Sequence, residues 1–225
     1  MDQRTELGLL LSSWYASLPR SGGRSQVLAI RPPLDSQEAE DFLGGLRKGL
    51  FSVDLDGYVQ SQFLPPSPDR QKILQLFWRT EGGRSLFREG VCQLAAVSAL
   101  VLRHGWPQAS VRLEPNASDV GEVAYGVDII VRGSVNTQVC LCGEAKRSAR
   151  ELQRMLDQLQ QCLREGQHSK SVCKRTNHPK AEALWKLRPA WFWAVCPGKD
   201  LVFRLQHDGE NLELESAPRI PQGPN

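Results

Sequence analysis

Apolar positions along the chain follow two different periods, and the change between them divides it. In 85–102, Leu86, Phe87, Val91, Leu94, Ala95, Val97 and Val101 recur at helical spacing and Gly105 follows as a stop, which predicts a helix. Three strand-like pieces come next, at 110–115 (SVRLEP), 123–132 (VAYGVDIIVR) and 138–146 (QVCLCGEAK). A second amphipathic helix is predicted over 148–164, with Leu152, Met155, Leu156, Leu159 and Leu163 on one stripe and Gly166 at its end. WFWAVC at 191–196 and DLVFRLQ at 200–206, joined through Pro-Gly-Lys, read as a hairpin. The order is therefore helix, three strands, helix, two strands.

The first third is less regular. Pro19, Gly22-Gly23, Pro32-Pro33, Gly44-Gly45 and Pro65-Pro66 punctuate short amphipathic pieces. VLAI at 27–30 reads as a short strand. The stretch 36–50 reads as a helix capped by Ser36, and 69–80, with Ile73, Leu74, Phe77 and Trp78 on one face, as another. We divide the chain into an α-rich accessory region (1–80), a main α/β domain (81–215) and a Pro-rich tail (216–225) expected to be disordered.

Composition narrows the class. With 225 residues and 40% apolar content the chain can bury one sizeable core. A net charge of +3 and a pI near 8.6 fit an anionic partner without demanding one. The apolar runs AAVSALVL and WFWAV fall short of the roughly 20 residues a membrane span needs. No leader pattern opens the sequence, so a cytoplasmic protein with reduced thiols is expected, despite six Cys.

The chemistry concentrates at 128–146. Asp128 interrupts the apolar run GVDIIV, and a lone carboxylate in a buried strand costs several kcal/mol unless something compensates it. A cation is the simplest compensator. On the next strand Glu144 and Lys146 stand two residues apart and so share a face. A hairpin through 133–136 would bring Asp128 beside Glu144, giving a hard-oxygen pocket for Mg²⁺ or Mn²⁺ with an ammonium alongside. That set suits phosphodiester hydrolysis: carboxylates fix the metal, and Lys146 orients water or stabilises charge on the phosphate.

Gly126-Val127-Asp128-Ile129-Ile130 followed by Gly143-Glu144-Ala145-Lys146 resembles the PD-(D/E)xK nuclease superfamily, whose fold is restriction-endonuclease-like. The resemblance covers about 85–206 and leaves the first 80 residues unmatched. It implies an α/β core with a central mixed β-sheet flanked by helices, and metal-dependent DNA endonuclease activity. It implies the Ala145 carbonyl as a further metal ligand, Glu89 as a fourth member from the preceding helix, and Gln153 or Gln158 as a polar group on the following one. Val127 stands where the family has Pro.

Between 147 and 188 basic residues outnumber acidic ones, and Arg147, Arg150, Lys174 and Arg175 are candidates for contact with nucleic-acid phosphates. The bland alternative is a solvated helix face and a basic loop. Cys162, His168, Cys173 and His178 are zinc-ligand types, but their spacing fits no paired knuckle. Cys140 and Cys142 are expected on one face of their strand, Trp185, Trp191 and Trp193 in the core, and His104 as a dipole partner at a helix end. Two further function classes stay open: an inactive nuclease-like binding or interaction module, and the nuclease subunit of a restriction, transposition or phage-defence assembly. Double-strand cutting with one site per chain would favour a homodimer or two sequential nicks.

Overall fold

In the computed structural model, residues 1–18, 27–65, 74–80, 83–116, 126–133, 138–164, 177–208 and 211–223 are described. A six-stranded mixed sheet carries helices on both faces. In chain order the elements are α1 (Gln3–Ser17), α2 (Ser36–Arg47), β1 (Phe51–Val53), β2 (Val59–Ser61), β3 (Phe77–Thr80), β4 (Gly83–Leu86) and α3 (Arg88–Leu102). They continue as β5 (Val111–Leu113), β6 (Ile129–Arg132), β7 (Val139–Ala145), α4 (Ala149–Arg164), α5 (His178–Leu187), β8 (Trp191–Cys196), β9 (Lys199–Asp208) and β10 (Asn211–Ala217).

The sheet order is β10-β9-β8-β7-β6-β5, and every neighbour pair is antiparallel except β7 with β8. That parallel pair follows from the helical crossover between them, since a tight turn cannot join parallel strands. The sheet separates two apolar clusters. One holds α3 together with Leu7 and Leu11 of α1 and Phe42 of α2; the other holds the Leu152, Met155, Leu156, Leu159 and Leu163 stripe of α4 with Leu184 and Trp185 of α5. The N-terminal helices thus bury their apolar faces in the same core as α3.

The mixed α/β architecture and the helix, three strands, helix order match the sequence expectation, while several details differ. Residues 27–30 form no strand. The carbonyls of Pro32 and Pro33, just downstream, accept instead from the Arg88 guanidinium, at 3.0 and 3.2 Å. Phe77 and Trp78 lie in strand β3 and not on a helix: Phe77 is buried and Trp78 exposed, the alternation of a strand. Residues 69–73 of that expected helix lie outside the described ones. Helix α3 begins at Arg88 because Leu86 belongs to the β3–β4 hairpin. Asp35, not Ser36, caps α2, in a reciprocal capping box with Glu38.

Helix α5 and strand β10 were not foreseen, nor was the anchoring of the tail. Ile220 is buried, the Trp106 indole donates to the Pro221 carbonyl at 3.1 Å, and the Gly223 N–H to the His104 carbonyl at 2.7 Å. The Pro-rich composition hid these three anchors. A register shift between Val131 and Arg132 leaves Cys140 unpaired opposite it. Cys142 therefore packs with the α4 cluster while Cys140 leans on the α3 cluster, so the two cysteines do not share a face. Trp185 and Trp193 are core residues, as expected.

Candidate metal centre

Three carboxylates and two ammonium groups meet near the carboxyl end of β7. Glu89 comes from the first turn of α3, where the helix dipole favours an acid. Asp128 immediately precedes β6. The pairing of Ile129 with Gly143 puts it across from Glu144, and its N–H donates to the Gly143 carbonyl at 3.1 Å. The Asp128 carboxylate accepts the Ala145 N–H at 2.8 Å, which fixes its rotamer against β7. Carboxylate oxygens of Glu89, Asp128 and Glu144 all lie within 4.8 Å of one another, a set that can hold a metal ion.

Lys146 lies among them. Its Nζ is 2.5 Å from Glu89 Oε1, 2.6 Å from Glu144 Oε1 and 3.9 Å from Asp128 Oδ2, and it donates to the Ala145 carbonyl at 2.8 Å. The carbonyl implied as a metal ligand therefore borders the same space. Glu144 is fully buried; Lys146 and Lys180 both reach its Oε1, at 2.6 and 2.7 Å, while Oε2 has no hydrogen-bond partner among the described residues. Its charge is met by ammonium groups alone. A buried carboxylate oxygen left without a partner, Oε2, fits a cation better than a closed structural pair does.

Burial, and after it the charge of Glu144, push the Asp128 carboxyl well above the ordinary carboxylate range, with Lys146 opposing. Burial works against the Lys146 charge, but Glu144, Asp128 and Glu89 outweigh it and lift the lysine above its usual value. Both effects have one origin: several ionisable groups share a space with little water.

Three members escaped the sequence reading. Lys180, on α5, reaches Glu144 Oε1 at 2.7 Å and donates to the Gly126 carbonyl at 3.0 Å. Its place depends on Gly126: a Cβ there would lie 2.3 Å from the Pro179 carbonyl oxygen, so only glycine lets the start of α5 approach. Glu114 follows β5 in a left-handed conformation (φ 48°), with its N–H on the Asp128 carbonyl at 2.7 Å. Gln93, one turn after Glu89, donates to Glu114 Oε1 at 2.7 Å. Glu114 keeps solvent contact at the rim of the cluster, yet desolvation, with the nearby charges of Glu144 and Glu89, raises its carboxyl against the Gln93 bond. Sequence spacing held no signal for any of the three. Lys180 falls within the basic stretch 147–188, whose excess charge gives no sign of a carboxylate partner.

Other predicted site residues go elsewhere. Gln153 donates to Asp157 at 2.9 Å on the exposed face of α4, and Gln158 accepts from Asn177 at 2.5 Å, tying α4 to the start of α5. Arg147 is exposed and paired with Glu151 at 2.7 Å, and Arg150 is exposed on the first turn of α4. Lys174 and Arg175 lie outside the described residues, as do His168 and Cys173. Cys162 is disulfide-bonded, which removes it as a zinc ligand and departs from the expectation of reduced thiols; Cys92, Cys140, Cys142 and Cys196 are free. Burial, and after it Arg103, lower the pKa of His104 at the end of α3.

Among the described residues no helix is long and apolar enough to cross a membrane. Compared with known proteins, the chain matches no family model, no curated protein and no solved structure.

Proposed function

We propose that the chain is a Mg²⁺- or Mn²⁺-dependent endonuclease that hydrolyses phosphodiester bonds of DNA on a PD-(D/E)xK, restriction-endonuclease-like core. One observation carries this reading: Glu89, Asp128 and Glu144 offer oxygens within 4.8 Å of one another, with the Lys146 ammonium among them. Hard oxygen donors of this kind select Mg²⁺ or Mn²⁺ over softer ions. The unpartnered Oε2 of buried Glu144 supports the fit. Asp128, Glu144 and Glu89 would hold the ion, with the Ala145 carbonyl as a further donor. When bound, the ion supplies Lewis acidity toward the phosphate and acidifies water.

The chain's own groups supply the rest. Asp128, locked to the Ala145 N–H, keeps its carboxylate aimed at the centre without reorganisation. Lys146 offers an ammonium to the attacking water or to charge growing on the phosphate oxygens. Lys180 holds Glu144 in place. The exposed Arg150 and Arg147 lie just after Lys146 on the chain, where they can meet the nucleic-acid backbone.

Purified protein with Mg²⁺ or Mn²⁺ is expected to cut plasmid or oligonucleotide DNA, and Asp128→Ala and Lys146→Ala to stop it. Equal cutting by those variants would reject the site. A second reading, a nuclease-like module that binds nucleic acid or protein without cutting, draws on the two lysines that already offset part of the carboxylate charge. That module would bind no Mn²⁺ in a calorimetric titration and would give no cleavage with any DNA.

A further inference from the structure

The two lysines contact Glu144 through the same oxygen, yet their surroundings differ. Lys146 is shared among Glu89 at 2.5 Å, Glu144 at 2.6 Å, the Ala145 carbonyl at 2.8 Å and Asp128 at 3.9 Å. These are the oxygens that would hold a divalent ion. An ammonium and a divalent cation cannot occupy one oxygen set together, because their mutual repulsion grows as water is excluded. Among the described carboxylates Lys180 touches Glu144 alone, and it also donates to the Gly126 carbonyl.

Backbone anchoring sharpens the difference. The Lys146 N–H is tied to the Val195 carbonyl at 2.8 Å, so the backbone stays put while the four-carbon side chain can swing. Lys146 is the last residue before the bend into α4 and is 18% exposed, which leaves its ammonium a way out of the cluster. The Lys180 side chain is 13% exposed, but beyond Glu144 its ammonium is held by the Gly126 carbonyl, which lies outside the Glu89, Asp128 and Glu144 oxygen set. Glu144 has no exposure at all, so one cation must stay with it whenever the other leaves.

We propose that Lys146 is the exchangeable counter-ion of this cluster and Lys180 the fixed one: a divalent ion entering among Glu89, Asp128 and Glu144 expels the Lys146 ammonium toward the substrate side, while Lys180 stays on Glu144. The proposal rests on the metal reading above and deepens it. Lys146 is then both the plug of the metal-free site and the group delivered to the phosphate when the ion arrives. Lys180 is a positioning residue.

The test is lysine acetylation of the full chain, mapped by mass spectrometry with and without Mn²⁺, beside calorimetric Mn²⁺ titration of wild type and Lys146→Met. Mn²⁺ is expected to raise Lys146 acetylation several-fold and leave Lys180 unchanged. Lys146→Met is expected to bind Mn²⁺ about tenfold more tightly, having lost its internal competitor. Lys146 labelling that stays level or falls with Mn²⁺ would overturn the proposal. So would equal or weaker Mn²⁺ binding by Lys146→Met, or no binding by either protein. The labelling arm needs no variant to fold. Mn²⁺ that releases Lys146 without any cleavage of DNA would reject the nuclease reading and leave the lysine exchange standing.

Discussion

Arg88 and Glu89 are neighbours in the first turn of α3, yet they belong to charged clusters of opposite character. Arg88 faces α2, where its guanidinium grips both oxygens of Glu38, the carbonyls of Pro32 and Pro33, and the sulfur of Cys92. One positive and one negative group are matched there, and the side chains are 2% and 6% exposed. Glu89 faces the sheet, where Asp128, Glu144 and Glu114 join it against Lys146 and Lys180. That cluster has more acids than bases and leaves Glu144 Oε2 without a donor among the described residues. A closed pair with its donors satisfied holds two elements together; an open one with surplus negative charge is a place for a cation. The two clusters share a helix turn, so the first also fixes where Glu89 stands.

The sharpest way to separate them is to remove one partner from each. Arg88→Met leaves Glu38 buried without its counter-charge and is expected to cost about 3–5 kcal/mol of stability in a denaturant titration. Asp128→Asn instead relieves like-charge crowding beside Glu144 while keeping an acceptor for the Ala145 N–H. It is expected to leave the melting temperature level or higher and to lower DNA cleavage on the order of a hundredfold, about 2.7 kcal/mol in the barrier. A melting temperature that falls as far for Asp128→Asn as for Arg88→Met would erase the distinction.

Metal addition makes the same comparison without a cut. Mg²⁺ at about a hundred times its dissociation constant is expected to stabilise the wild type by about 2.7 kcal/mol. Asp128→Asn is expected to abolish the shift, read as the melting temperature with and without Mg²⁺.

The smallest effect concerns pH. His104, just after α3, has its pKa lowered from 6.5 by burial and then by Arg103, and both ring nitrogens lack a hydrogen-bond partner among the described residues. The unfolded chain takes up this proton first. Stability is therefore complete above pH 6.5 and declines as pH falls toward the lowered folded value, where the loss levels off. His104→Phe should flatten that slope of the unfolding free energy against pH. An unchanged slope would assign it to other groups.

Much of the central sheet was legible because its strands carry strong local signals. The β-branched run at Ile129, Ile130 and Val131, the alternation around Leu141, and the Pro-Gly turn between β8 and β9 each act within a few residues. The α4 stripe was equally plain, since five apolar residues at helical spacing leave little choice. Phe77 and Trp78 misled, because two adjacent aromatics fit a helix face as well as a strand. The segment at 27–30 misled because strand-like composition does not supply a partner strand, and none of the described sheets pairs with it.

The sequence alone also pointed to the heart of the candidate site: a carboxylate at the start of an apolar strand, and Glu144 and Lys146 two residues apart on the next. Tertiary structure alone decided the rest. Lys180, Glu114 and Gln93 enter through α5, the turn after β5 and the second turn of α3, elements far apart in the chain whose meeting depends on sheet order and on a helix resting against Gly126. Local periodicity reports which face of an element is buried. It carries no record of what that face will meet.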